Sequence, residues 1–363
     1  MSRTPPTLTV RPLVVPRSGD DPRRGDMDEL VRLGNAVNRH DAGHPFFDQT
    51  VEEVLPGWQD QTDHTHLGFI VEHDRSVAGI ATLVLPNEPG ASTLEFELMV
   101  EPALRGEDVW NTLLDVVEKA AREHQRSVIQ TWTLHRRDAV GDTLTPPTGY
   151  GAIPSDDPHA LFLSAHGFAF EQVERNSTLD LHGDLTSVAD ALQEAIAFAG
   201  PDYRLLTWAA PTPPEYADGF AYTLSRMATD VPSGGMVWEE ETWDAARVAR
   251  RDGRLLAAGN TMSVAAVSHA PTGRIVAFNE LMIGADHSGT THQWGTLVVK
   301  EHRGHRLGTI VKCANLLRWH DLVPESPRVS TFNAEENRSM LDINEAIGFV
   351  PASYAGAWKK VLS

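Results

Sequence analysis

Residues 303–308 read Arg-Gly-His-Arg-Leu-Gly, between an apolar run, Leu297-Val298-Val299, and a helical pattern that begins at once. A helix N-terminus carries unsatisfied N–H groups and a partial positive charge. A tight turn feeding it aims several N–H groups, here those of residues 304–309 including Leu307 and Thr309, at one anion. Gly304 and Gly308 let the backbone approach closely because no Cβ obstructs it. Arg303, His305 and Arg306 add positive potential. A pyrophosphate is the natural guest, and a solvated helix cap with surface arginines is the plain alternative. The stretch is not a phosphate loop, since no Gly-Lys-Ser/Thr follows. Its glycine spacing is not that of a dinucleotide fingerprint either.

The elements that must position this turn recur in the chain. Residues 100–106 read VEPALRG and residues 298–304 read VVKEHRG, each after a strand-like run and before a helical one. A Gly-Phe pair follows each, Gly167-Phe168 and Gly348-Phe349. The first copy is longer, and residues 136–157, rich in Gly, Pro and Asp, read as the inserted loop. Within each copy a first strand leads to helix, then to hairpin strands, then to the turn, helix, strand, helix and closing strands. Strands occur in runs rather than in strict βαβ alternation, so the class is α/β with a mixed sheet. The expected division is residues 1–183 for the first copy, 184–201 for a helical connector and 202–363 for the second.

Composition sets the outer bounds. The chain has 363 residues, 41% hydrophobic and 22% charged, with a net charge of −19. That length suits two domains, each with its own core. The charge argues against nucleic-acid binding and permits cationic small substrates. No apolar run approaches the roughly 20 residues of a membrane span, so no membrane partner is expected. The N-terminal residues lack the apolar core of a signal peptide. A single cysteine, Cys313, excludes an intrachain disulfide and a cysteine-rich metal site. It fits a reducing cytoplasm, and no metal is expected. Cys313 reads as a small apolar residue inside a helix.

Residues 274–360 resemble the GNAT acyltransferase superfamily. In that family a strand ends in Val-x-x-x-x-Arg/Gln-x-x-Gly-x-Gly/Ala, and here Val298, Arg303 and Gly308 match while Arg306 replaces the first motif glycine. Asn333, Asn337 and Met340, ahead of Gly348-Phe349, resemble the family's later helix entry. The first copy departs from the pattern, with Glu107 and Asp108 where phosphate would bind. The arrangement resembles tandem acetyltransferases of the mycothiol synthase type. The resemblance implies two tandem GNAT folds, each a mixed, mostly antiparallel sheet flanked by helices. It implies one working site in the C-terminal copy, braced by a degenerate N-terminal copy. It also implies acetyl-CoA on residues 297–299 and 303–309, with Asn333 and Asn337 beside the pantetheine arm or holding the strand–helix turn. The expected activity is acetyl transfer to the amine of a small molecule by a monomer or homodimer. The alternative is a catalytically silent acyl-CoA sensor or scaffold.

Such transfer needs a base for the amine and a proton or solvation for the departing thiolate. Strict alternation on the strand before the turn places His292, Trp294, Thr296 and Val298 on one face. His292, six residues before Val298, is one candidate base. Glu280, among apolar residues on a neighbouring strand, is the other, because burial raises a carboxyl pKa. Asp286 and His287, in the following loop, are less direct. Asn344 stands where the family often has its Tyr acid, so a water, Tyr354 or solvation of the thiol must serve instead. Phe46, Phe47 and Trp58 are expected to line a substrate cleft or the core.

Overall fold

The structure, a computed structural model, describes residues 8–74 and 76–362. The chain forms two compact units. Unit 1 takes the residues up to Val173, together with Gly234–Glu239 and the stretch from Ser353 onward. Unit 2 takes Glu174–Ser233 and Glu240–Ala352.

Unit 1 opens with β1 (Leu8–Pro12), α1 (Gly25–Ala42), α2 (Val51–Gln59) and the strands β2 (His64–His73), β3 (Ser76–Pro86) and β4 (Thr93–Val100). Then follow α3 (Glu107–Glu123), β5 (Val128–Arg136), the short strands β6 (Thr143–Leu144) and β7 (Ile153–Pro154), α4 (Pro158–Ala165) and β8 (Ala169–Asp180). The predicted inserted loop is the segment that carries the β6–β7 ladder. Successive strand residues point to opposite faces, so Ile70 packs with α1 and α2 while its neighbour Val71 packs with α3 and α4. Helix α1 presents Met27, Leu30, Leu33 and Val37 at the three- and four-residue spacing of a single buried stripe. A Thr50–Glu53 capping box starts α2.

Unit 2 contains α5 (Thr186–Ala199), β9 (Tyr203–Ala209), α6 (Pro214–Ser225), α7 (Met227–Asp230) and α8 (Ala245–Ala257). It continues with β10 (Thr261–His269), β11 (Arg274–Ile283), β12 (Thr290–Val298), α9 (Leu307–Leu322), β13 (Arg328–Ala334) and α10 (Arg338–Ala346), and the chain ends in β14 (Val350–Val361). The expected connector helix is α5, and it is no mere link: Val188, Leu192 and Ala195 enter the core around α9.

In both units one parallel pair sits among antiparallel ones. Parallel contact between β4 and β5 runs only from Thr93↔Val128 to Glu95↔Gln130. Between β12 and β13 it runs only from Thr290↔Arg328 to His292↔Ser330. Beyond those pairs the strands lose their ladder, and among the described residues the later part of β12 keeps only β11 as a backbone partner.

The final strand of each copy departs from the simple division at 183 and 202. Residues 174–180 of β8 lie in unit 2, paired antiparallel with β13. Residues 353–361 of β14 lie in unit 1, paired antiparallel with β5. A strand edge needs a partner for its N–H and C=O groups, but side-chain alternation does not say which strand supplies it. Among the described residues no helix is long and apolar enough to cross a membrane.

Candidate active site

The turn at 303–308 has the geometry of an anion cradle. Gly304 has φ +84°, a conformation suited to glycine, and a short 3₁₀ turn at Lys300–His302 leads into it. Helix α9 starts at Leu307, and its N-cap residue Arg306 makes no side-chain cap hydrogen bond. The first backbone bond into the helix is Ile310 N–H to Arg306 C=O at 3.1 Å. The N–H groups of Leu307, Gly308 and Thr309 therefore have no acceptor within the helix. Arg306 adopts the left-handed conformation at φ 56°, which costs a non-glycine residue on the order of 1 kcal/mol. Its guanidinium stacks on Phe198 of α5, 4.7 Å from the ring centre, and lies 3.8 Å from Glu194. The side chain that replaces the motif glycine is thus anchored on a neighbouring helix.

Arg303 clamps the turn from below. Its Nη2 donates to the Asp230 carbonyl at 2.6 Å and its Nε to the Val298 carbonyl at 3.2 Å. Asp230 in turn accepts from the Lys300 N–H and from Arg226. The turn borders a cavity of about 390 Å³. Of the predicted cofactor residues, Leu297, Val298, Arg303, Gly304, Arg306, Leu307, Gly308, Thr309 and Asn337 line it. Val299 is buried, donating its N–H to Val276, and His305 lies beside the Tyr203 ring. Asn333 accepts from Asn344 Nδ2 at 2.8 Å. Thr296, expected on the strand face before the turn, also lines the cavity, and sequence reasoning missed the wall formed by Asp230, Val231 and Pro232, which no motif marks.

Strict alternation along β12 fails at one point. Leu281 faces Gln293 and Asn279 faces Thr296, so two residues, Trp294 and Gly295, stand opposite the single Glu280. This bulge reverses the facing of the strand. Thr296 accepts from Asn279, whose side-chain oxygen accepts from Asn315 on α9, and Val298 packs in the α9 core. Trp294 lies on the other face, with the Arg251 guanidinium of α8 5.4 Å from its ring centre. His292 and Trp294 therefore do not share a face with Thr296 and Val298, contrary to the expectation from strict alternation.

Glu280 is buried and lies 2.7 Å from Arg251 Nη2. Burial raises its pKa despite that neighbour and a hydrogen bond from the Gly295 backbone. His292 is packed on most sides, and burial lowers its pKa, so its imidazole stays neutral at pH 7. Neither side chain lines the cavity at the turn. Tyr354, considered as a substitute acid, belongs to unit 1 and faces His135 on β5. Asp286 caps its own loop by accepting from Ser288, and His287 contacts Thr261.

Asn344 has an unforeseen partner. Lys312, on α9, is completely buried and donates to Asn344 Oδ1 at 2.6 Å. Burial pushes its pKa down to about 7. Helix α9 is buried on nearly every side, which a lysine among apolar residues does not announce. The adjacent Cys313 is buried and its thiol is pushed up to about 12, as suits an inert apolar residue.

The corresponding turn of unit 1 is built differently. Helix α3 follows Gly106, and Arg105 is engaged with Asp41 at 2.7 Å. Asp108 and Asp115 line the cavity beside it. The side chain of Glu107 lies outside the described residues. Phe46 stacks on His44, and Trp58 packs in the core of α1 and α2.

Neither a protein-family model nor a curated protein sequence matches this chain. Solved structures do. A tandem GNAT protein from the clavulanic acid biosynthesis pathway aligns over 98% of both chains, with TM-score 0.73 and 24% identity. A GCN5-related N-acetyltransferase from Sphaerobacter thermophilus aligns over 98% of this chain and 95% of its own, with TM-score 0.60 and 15% identity. The glucosamine N-acetyltransferase region of a fungal multi-domain β-N-acetylglucosaminidase aligns over 99% of this chain and 38% of its own, with TM-score 0.61 and 13% identity. The parallel strand pair that parts beyond three residues recurs in both units, and with the full-length likeness to a tandem GNAT protein the conclusion is that the chain has the tandem GNAT fold.

Proposed function

We infer that the protein is an acetyl-CoA-dependent N-acetyltransferase whose working site is in unit 2, and that its acceptor is the amine of a small molecule. The observation that carries this reading is the uncapped start of α9, where Leu307, Gly308 and Thr309, whose N–H groups have no acceptor within the helix, line a cavity beside Gly304. The residues present suit a CoA pyrophosphate: free backbone donors, glycines that admit close approach and, among the described residues, no lining carboxylate other than Asp230. When bound, acetyl-CoA would supply an activated acyl thioester. The chain's own part is to hold it along the unpaired side of β12 and to accept a proton from the amine. His292, neutral at pH 7, is suited to take that proton directly or through a water. Thr296, held by Asn279, offers a hydroxyl beside the same strand.

A second reading, an acyl-CoA sensor, draws on Asn344. Its amide cannot release a proton, and both of its ends are already engaged, by Lys312 and Asn333. Thiol release from acetyl-CoA in the presence of an amine panel separates the two. Amine-dependent release is expected. CoA binding without release for any amine would replace the transferase reading with the sensor.

A further inference from the structure

Unit 1 contains a further, chemically distinct cavity of about 290 Å³, between α1, α2 and the sheet. Its floor is the face of β3 and β4 that carries Thr82, Val84, Glu95 and Glu97, with Thr82 registered opposite Glu97 and Val84 opposite Glu95. Trp58 and His66 stand on one side, their ring centres 5.7 Å apart, and Trp132 of β5 on another. Among the described residues neither lysine nor arginine lines it. Glu97 stands two residues beyond the last parallel β4–β5 pair, where the strands part.

Glu97 is exposed to the cavity, and partial loss of hydration among its neighbours raises its carboxyl. Among the described residues it has no hydrogen bond or ion pair, unlike Glu280 of unit 2, which is matched by Arg251. A carboxylate that faces a concave, partly aromatic wall without a counter-charge focuses negative potential into the space it faces. Aromatic faces beside it favour a cation further, through their ring quadrupoles.

We propose that this cavity is a binding site for a small organic ammonium ion, with Glu97 as its counter-charge and Trp58 and Trp132 packing against its apolar part. The site is suited to binding rather than to acyl transfer. Strand β4 runs in unbroken register with β3 from Gly79↔Val100 to Val84↔Glu95, without the bulge of β12. The turn before α3 is acidic.

The test uses the full chain and two probes of equal shape, 2-phenylethylammonium and uncharged 2-phenylethanol, titrated calorimetrically. The ammonium is expected to bind, and the alcohol to bind at least tenfold more weakly. Glu97→Gln should weaken the ammonium at least tenfold and leave the alcohol unchanged. Asn38→Phe, which fills the cavity from α1 and keeps the carboxylate, should abolish both. Thermal melting of each variant confirms that it folds. Equal binding of the two probes, or undiminished ammonium binding by a folded Glu97→Gln protein, overturns the proposal, as does failure of the wild type to bind the ammonium. The readout is independent of acetyl transfer, so it neither needs nor tests the transferase reading.

Discussion

Two residues of α9 decide how the cradle works and what it costs. A Cβ at Gly308 would lie 3.2 Å from Ile343 Cδ1 and 3.7 Å from Val298 Cγ2, so alanine is tight but tolerable there. Aspartate adds a negative charge at the N-terminus of the helix, where the donors await an anion. Gly308→Asp should weaken CoA at least tenfold, about 1.4 kcal/mol, and Gly308→Ala substantially less. Calorimetry on both variants is the check, and equal affinity of a folded Gly308→Asp protein would remove the pyrophosphate from this turn. Lys312 lies on the same helix, and its titration is visible in stability. Its pKa falls from the ordinary 10.5 to about 7 in the folded state. Between those values the unfolded chain binds the proton and the folded one does not, so this residue's contribution to stability rises with pH by about 1.4 kcal/mol per unit. Below pH 7 both states are protonated and the burial penalty is fully present. Lys312→Met should therefore be more stable relative to wild type at pH 7 than at pH 9. Melting curves of both proteins across that window measure it, and a constant difference would mean that the ammonium is not buried as described.

At the scale of elements, the turn was legible because its residue types and spacing carry the function directly, whereas the strand before it was not. Period-two alternation reads straight through residues 292–298, and nothing in Thr-His-Gln-Trp-Gly-Thr-Leu announces the bulge except the glycine. Gly295 is small for a reason: a Cβ there would lie 2.7 Å from the Phe278 ring and 3.0 Å from Glu280 Oε2. The bulge parts His292 from the face of Thr296, whereas Glu280, next to Asn279 on β11, faces away from it by ordinary alternation, and the two candidate bases sit in different environments. Glu280 already has Arg251, and its replacement leaves a buried guanidinium without its counter-charge. His292 carries no such duty. His292→Ala should lower turnover roughly 10²-fold, whereas Glu280→Gln should lower the melting temperature and raise KM. The wild-type rate should rise with pH through an apparent pKa below the ordinary imidazole value of about 6.5, because burial disfavours the charged ring and a base must be unprotonated. A midpoint above that value, or full turnover by the His292 variant, would exclude the imidazole as base.

At the scale of the whole molecule, the repetition was legible from two Val-x-x-x-x-Arg-Gly stretches and two Gly-Phe pairs, because the same backbone path places the same residues at its bends. The exchange of final strands was not. Trp358 looks like any closing-strand aromatic, yet it is buried in unit 1, stacks on Phe170 and donates to Thr133 at 3.0 Å. Strand patterns carry no address for the partner edge. Repetition of the fold does not imply repetition of the site, and the two turns differ in charge where it matters. That of unit 2 offers uncapped N–H groups with Arg303 and Arg306 at its border. That of unit 1 has Arg105 committed to Asp41 and sets Asp108 and Asp115 beside the cavity. Like charges there oppose a pyrophosphate, whose own charges must come within a few ångströms of the backbone to bind. One CoA per chain is the expected stoichiometry, read by titration calorimetry and by mass spectrometry of the intact complex. In Gly308→Asp protein the single site should weaken without a second one appearing. Two sites of similar affinity in the wild type would show that the carboxylates of unit 1 do not exclude the ligand, and the division of labour between the copies would have to be redrawn.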